Sequence, residues 1–471
     1  MKRSFTILAA LLVLQLAVAA QEAPVFSVGP SAPVQKTLFG GWYPYNLPVH
    51  GPIDGAFFMD TGDAIVSLGT DYIEKSRVPA PRDGKFKSGV SEVCNGNRLY
   101  YFYGYYAKKI THLLACAYDL PQMTNAFIKE FHQATNIITL KKKSNWNFLP
   151  VSSGGAYDVR FSKNGNYIGV ATYENRVMGR CFNLALYDRD FNLVSKQEYL
   201  DTTLVRAWEK EEVFSSMEGY EYDFAVADEG TLTFVRSHYT YFHKNSEGSD
   251  ISVYILSKDG FRRIDFGTAL ERNDFHYPKI IAAEADKIMV TGIYSDVSRF
   301  NGNYPTYLHT GLCTLSIPLS EGGSIEKLAW EKFDFLFPTT EQKPMFFPSF
   351  QKVEILTWDT HGGKAYLFND KLAIIDPEGK ILSIKKLPAK PFEENTYRII
   401  DSGRLYWMTL TAAGGNLLYG VDWEGNVTRT PVPAFYAPGV AMRTISLGEG
   451  KYQFVQCDAS SMRTLNLTVP Q

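Results

Sequence analysis

The chain has 471 residues, with 48 Lys and Arg against 50 Asp and Glu, 45% hydrophobic residues and five Cys. A near-neutral balance without a basic stripe gives no electrostatic ground for a nucleic-acid partner, and five scattered Cys exclude a small disulfide-framed fold. The unusual figure is the aromatic content, 7 Trp, 29 Tyr and 31 Phe, residue types that favour pleated, half-buried surfaces.

Residues 1–20 read as a secretory signal peptide. Lys2 and Arg3 precede an apolar run from Phe5 to Ala20, which closes on the small residues Ala17-Val18-Ala19-Ala20. Cleavage there predicts an exported chain, periplasmic or extracellular, and no later stretch is long and apolar enough for stable membrane insertion. Residues 21–89 read as an N-terminal arm that supplies a ring-closing strand, with Phe26-Ser27-Val28 and Ala64–Leu68 as the candidates. Within it, Gly40-Gly41-Trp42-Tyr43-Pro44-Tyr45 offers Trp42 for stacking on a ligand, against the alternative of a plug over one end of the fold. Asp60-Thr61-Gly62-Asp63 begins like a calcium turn but lacks the further oxygen ligands of a full loop.

From 90 to 471 one grammar recurs: strand, tight turn, strand, loop, strand, polar turn, strand. The clearest copy runs Tyr157–Phe161, turn Lys163-Asn164-Gly165-Asn166, Tyr167–Tyr173, Phe182–Tyr187, turn Asp188-Arg189-Asp190 and Phe191–Tyr199. Asn-Gly between alternating runs specifies a hairpin, because Gly, Asn and Asp take positive φ cheaply. Further copies carry turns at Asn95-Gly96-Asn97, Asp228-Glu229-Gly230, Glu284-Ala285-Asp286, His361-Gly362-Gly363, Asp401-Ser402-Gly403 and Gly448-Glu449-Gly450. The last copy lacks a strand, which one from the N-terminal region would complete. Helix-forming windows are confined to Gln122–Gln133, which overlaps an irregular strand read at Ala126–Phe131, and Thr203–Met217, which falls between repeats.

Repeated four-stranded sheets cover one another when stacked radially. The expected fold is therefore all-β, a β-propeller of about six to seven four-stranded antiparallel blades closed by N- and C-terminal strands. A run of β-sandwich domains is the alternative, disfavoured by the lack of Pro/Gly/Ser-rich linkers.

The segment Phe161-Ser162-Lys163-Asn164-Gly165-Asn166-Tyr167-Ile168-Gly169-Val170-Ala171 resembles the strand-turn-strand signature of TolB-like and WD-type propeller repeats. Lys163 and Asn164 stand where that pattern has Pro and Asp. The resemblance implies a fold and no activity, since propellers host hydrolases, lyases and binding scaffolds alike.

Two consecutive repeats have long loops between their second and third strands, at 236–250 and 295–310. The first carries His238, Tyr239, Tyr241 and His243; the second carries Arg299, Tyr304, Tyr307 and His309. Long loops on a rigid scaffold are where such folds place recognition, and these side chains suit stacking on a sugar or clasping a peptide. The alternative is that the aromatics simply pack the loops onto the rim. The three His match no standard metal spacing, no phosphate loop or nucleophile elbow occurs, and neither metal nor cofactor is called. The sequence thus points to an exported, soluble, monomeric β-propeller that binds a glycan, protein or peptide ligand. Its rivals are a carbohydrate-active glycosidase or lyase with carboxylates and His at the channel mouth, and an envelope scaffold.

Overall fold

The computed structural model describes residues 23–33, 49–61, 64–79, 88–107, 110–135, 157–176, 179–201, 222–238, 250–268, 270–271, 273–296, 309–332, 354–389, 391–392, 396–409, 415–433, 441–457 and 461–470. Among them there is no helix, and the strands form eight four-stranded antiparallel sheets in a β-propeller arrangement. The first strand, β1 (Val25–Pro33), belongs to the last sheet. A sheet of β2 (Val49–Ile53), β3 (Ala56–Asp60), β4 (Ala64–Leu68) and β5 (Glu74–Pro79) follows, then β6 (Ser88–Asn95), β7 (Arg98–Ala107), β8 (Ile110–Asp119) and β9 (Thr124–Thr135). The next sheets are β10 (Tyr157–Phe161), β11 (Tyr167–Arg176), β12 (Gly179–Asp188) and β13 (Leu193–Asp201); β14 (Tyr222–Val226), β15 (Thr231–His238), β16 (Asp250–Ser257) and β17 (Gly260–Thr268); and β18 (Asn273–Ala283), β19 (Lys287–Asp296), β20 (His309–Pro318) and β21 (Glu326–Lys332). Then come β22 (Ile355–Thr360), β23 (Gly363–Phe368), β24 (Lys371–Ile375) and β25 (Ile381–Lys386), and β26 (Thr396–Asp401), β27 (Arg404–Thr409), β28 (Leu417–Val421) and β29 (Val427–Pro431). Finally β30 (Ala441–Gly448), β31 (Lys451–Cys457) and β32 (Ser461–Thr468) take β1 as their fourth, outer strand.

The blade count of six to seven is therefore corrected to eight. The uncounted blade is β2–β5: its first strand carries Gly51-Pro52, a pair that reads as a break, and its last, Glu74–Pro79, is mostly polar and ends on proline. Ala64–Leu68 is the third strand of that blade, while Phe26-Ser27-Val28 lies on β1 and closes the final sheet, Phe26 facing Leu467. Gln122–Gln133 is occupied by β9 rather than a helix; Thr203–Met217 and the signal segment 1–20 lie outside the described residues.

The turns explain why these runs form sheets. At Asn164-Gly165 the glycine takes φ +71°, its N–H donates to the Ser162 carbonyl at 2.9 Å, and the Ser162 hydroxyl donates to Asn164 Oδ1 at 2.8 Å. Three blades close their last hairpin alike: Asp188, Asp376 and Asp422 each accept, through a carboxylate oxygen, the backbone N–H four residues on, at 2.8, 2.7 and 2.8 Å.

The strands divide between two compact units, Met1–Ala80 with Lys386–Gln471, and Pro81–Lys385. In the second unit the sheets β6–β9 and β10–β13 face each other across an aromatic core. Phe191 stacks on Tyr187 at 4.1 Å and on Phe127 at 5.6 Å, and Phe102 lies edge-on to Phe131. Tyr157 donates its buried hydroxyl to the Phe102 carbonyl of the neighbouring blade at 2.9 Å. The aromatic surplus is thus largely blade-to-blade packing. Phe102→Ala removes a fully buried ring from this core, and denaturant unfolding should register a loss of about 3–5 kcal/mol.

In the first unit the final blade packs on its neighbours through Met442, Tyr452, Phe454, Leu465 and Leu467 against Tyr406, Met408 and Leu418 on one side, and through Ile445, Val455 and Met462 against Val49, Phe57 and Val66 on the other. Tyr452 donates to Asp401 Oδ2 at 2.8 Å, and the Tyr72 hydroxyl is hydrogen-bonded to Gln453.

Candidate functional site

Of the residues singled out in the sequence, the backbone of His238 ends β15 and that of His309 begins β20. Their ladder partners are Asp250 and Ser295, so each marks the point where the blade's long loop leaves the sheet. Both loops leave at the end where β14 and β18 begin, because antiparallel pairing sets Tyr222 against Arg236 and Asn273 against Asp296. The two blades are neighbours, packed through β14 and β18. Tyr239, Tyr241, His243, Arg299, Tyr304, Tyr307 and Trp42 lie outside the described residues.

A cluster of charged side chains that the sequence reading missed lies below this rim. It is built by the first strands of three successive blades, Asp158 and Arg160 from β10, Asp223 from β14 and Lys279 from β18. On β10, Val159 and Phe161 pack into the aromatic core, which sends Asp158 and Arg160 to the opposite face by the period-two rule. Arg160 sits opposite Gly169 on β11, and a Cβ at Gly169 would lie 2.5 Å from Val226 and 2.9 Å from Leu232 of the next blade. That close approach lets the Arg160 side chain reach across to β14.

Arg160 Nη2 lies 2.6 Å from Asp223 Oδ1, Nη1 donates to the Phe224 carbonyl, and the guanidinium sits 4.6 Å from the Phe224 ring centroid. Lys279 Nζ approaches the same Asp223 oxygen at 3.4 Å, and the Ile280 N–H donates to Oδ2 at 2.8 Å. Asp223 and Arg160 thereby satisfy backbone groups on strands that have no further partner in their own sheets.

The two carboxylates differ sharply. Asp223 is 3% exposed; burial pushes its pKa up, but Lys279 and Arg160, helped by the Ile280 N–H, outweigh that and hold it below the ordinary value. Asp158, 36% exposed and 3.5 Å from Arg160, has its pKa raised: burial dominates, Arg160 and Lys279 only partly oppose it, and Asp223 adds like-charge repulsion. Arg160 and Lys279 retain 32% and 22% side-chain exposure. The group therefore has a sealed, fully satisfied side and a side that solvent reaches, on which a carboxyl, a guanidinium and an ammonium meet.

Other buried polar groups line the same end of these blades. Arg236 is 2% exposed, its guanidinium 4.3 Å from the Phe182 ring; Ser237 beside it on β15 is buried, as are Asp274 and His276 at the start of β18. Among the described residues no cluster of three or more His, Cys, Asp or Glu is disposed to hold a metal ion. Cys116, Cys181 and Cys313 are buried, and burial pushes the Cys313 thiol far up, as expected of a small core residue. Thr61 of the calcium-like turn donates its hydroxyl to the Ala64 carbonyl at 3.0 Å, a local turn contact. In the other unit a recess of about 340 Å³ opens beside Tyr406, Gly420 and Thr428, with Arg404 and Asp422 at its wall.

No family model matches the sequence, and comparison with curated proteins finds no match. The TolB-like and WD-type resemblance accordingly extends to the propeller fold and to no family. Among solved structures the chain is similar to a prolyl endopeptidase (11% identity, 89% of this chain and 55% of that one, TM-score 0.41), to the dihydro-heme d1 dehydrogenase NirN (13%, 93% and 79%, 0.43) and to the polysaccharide lyase Uly1 (11%, 94% and 100%, 0.38). This chain spans little more than half the length of the prolyl endopeptidase. Likenesses at this level carry no inference about activity, substrate or site.

Proposed function

We propose that this chain is an exported, monomeric β-propeller that binds a glycan or peptide ligand at the rim of the β14–β17 and β18–β21 blades. The observation that carries this reading is that both long loops spring from the same end of neighbouring blades, above a charged cluster that solvent reaches. The strands fix both ends of each loop, at His238 and Asp250 and at Ser295 and His309, and recognition by His238, Tyr241 and His309 is the part of this reading that the variant below tests. Neither metal nor cofactor is part of the reading.

A second reading, a glycosidase or lyase, is favoured by one specific observation: two carboxylates whose environments drive their proton affinities apart, the pattern of acid and base partners. One set of measurements separates the two. A triple His238→Ala, Tyr241→Ala, His309→Ala variant should lose at least about tenfold in affinity for whichever glycan or peptide the native protein selects from an array, with that ligand recovered intact after incubation. Unchanged binding in the triple variant overturns the rim reading. Release of shortened or unsaturated sugars by the native protein, abolished in Asp158→Asn, would establish the enzyme instead.

A further inference from the structure

Two cations, Arg160 and Lys279, converge on one sealed carboxylate, and each keeps part of its side chain in solvent. Asp223 Oδ1 receives both and Oδ2 is taken by the Ile280 N–H, so its negative charge is spread over two positive partners. The remaining negative group is Asp158, on the solvent side and 3.5 Å from Arg160 Nη2. From this arrangement we propose that the cluster is a binding site for an oxyanion carried by the ligand, a carboxylate, sulfate or phosphate group, gripped by Arg160 and Lys279 and admitted when Asp158 is protonated.

The chemistry is that of charge-assisted hydrogen bonding. Each Nη of Arg160 carries two N–H groups; Nη2 spends one on Asp223 and Nη1 one on the Phe224 carbonyl, so one on each is left for an oxyanion once Asp158 no longer competes, and Lys279 directs one of its three donors towards Asp223. An ionised Asp158 repels an incoming anion and competes for Arg160; a protonated Asp158 does neither and turns a donor toward it. The charged groups that face Asp158 are Arg160 on its own strand, Asp223 on β14 and Lys279 on β18, and Ala171 stands opposite it on β11. As the pH falls, protonation of Asp158 precedes that of Asp223, so the cluster gains positive charge while its sealed half stays intact.

This inference rests on the ligand-binding reading for its biological meaning, but its test does not. Inorganic sulfate, inorganic phosphate and acetate serve as probes, titrated into the full chain at pH 5 and pH 7.5 with binding followed by calorimetry and by chemical shifts of labelled Arg and Lys side chains. The native protein should bind sulfate, whose charge is the same at both pH values, about tenfold more tightly at pH 5, with the Arg160 and Lys279 signals moving. Preference for acetate over sulfate and phosphate assigns a carboxylate ligand, and the reverse a sulfated or phosphorylated one. Asp158→Asn should bind sulfate equally well at both pH values and more tightly at pH 7.5 than the native protein does, and Lys279→Gln should lose about tenfold at both. Asp158→Asn leaves the Asp223 pairings in place, so it tests the site without disturbing the fold. The proposal is overturned if no probe binds in any variant, or if binding is the same in native and Lys279→Gln proteins. A native pH profile that persists in Asp158→Asn overturns it as well. The rim triple variant should retain probe binding. Its loss of glycan or peptide affinity with probe binding intact separates the rim from the cluster.

Discussion

Replacing Asp223 with alanine is expected to cost about 3–5 kcal/mol, the penalty typical of removing one partner from a buried ion pair. The carboxylate is 3% exposed and holds Arg160 at 2.6 Å, Lys279 at 3.4 Å and the Ile280 N–H at 2.8 Å. Without it Arg160 and Lys279 lose the counter-ion they share, and a backbone donor on β18 loses its acceptor. Amide hydrogen exchange should locate the loss in β14 and β18, the strands the carboxylate joins. Arg160→Met combined with Asp223→Ala should recover part of the loss, since removing both charges leaves less charge stranded. Equal protection of β14 and β18 in Asp223→Ala and native proteins would dispose of the claim.

The pH dependence follows with opposite signs for the two carboxylates. The folded pKa of Asp223 lies below its unfolded value, so its contribution is complete above the unfolded value and is lost as pH falls through the folded one. The folded pKa of Asp158 lies above the ordinary 3.8, so protonated Asp158 favours the folded state, and this preference is lost as pH rises from 3.8 to the raised value. Asp158→Asn should therefore flatten the descending part of the stability profile just above pH 3.8 and leave the acid limb governed by Asp223.

The fold was legible wherever local chemistry left no choice. Asn164-Gly165 dictated a hairpin whose glycine has positive φ, and Asp188 and Asp376 are turn residues whose carboxylates accept backbone N–H groups. The missing eighth blade was not legible, because its first strand is interrupted in sequence by Gly51-Pro52 and its last, Glu74–Pro79, lacks an apolar run, so Ala56–Asp60 and Ala64–Leu68 stood without flanking partners. The charged cluster was hidden for a different reason. Asp158, Asp223 and Lys279 are more than fifty residues apart in successive repeats, and only the convergence of first strands brings them together. One signal was available: Tyr157-Asp158 and Tyr222-Asp223 repeat the same Tyr-Asp pair at the start of two first strands, where a charge would otherwise be avoided. Loop length points to the rim above, yet His238 marks only where the first loop begins and His309 where the second ends.

Closure of the last blade by the N-terminal strand carries the second large effect. β1 runs along β32 through seven ladder pairings, from Val25 opposite Thr468 to Pro33 opposite Ser461, with a bulge between Val28 and Ser31. Among its described side chains Val25, Ser27, Val28 and Ser31 face water, Val25 and Val28 at 63% and 79% exposure, and Phe26 is the ring that packs into the core of the final blade. The strand's contribution is therefore chiefly its backbone ladder, at about 0.5–1.5 kcal/mol net per hydrogen bond, together with burial of Phe26. Deleting residues 23–33 leaves β32 an open edge and should lower stability by about 3 kcal/mol or more, with association through that edge visible by size-exclusion chromatography. Phe26→Ala keeps the ladder and should cost only about 1–2 kcal/mol, since the ring is partly exposed. A synthetic peptide of residues 23–33 added to the deletion variant should restore a single species and much of the lost melting temperature, because the blade then regains its fourth strand. A deletion variant that melts with the intact chain and stays monomeric would show that the three strands β30–β32 suffice alone, and that the closing strand is dispensable.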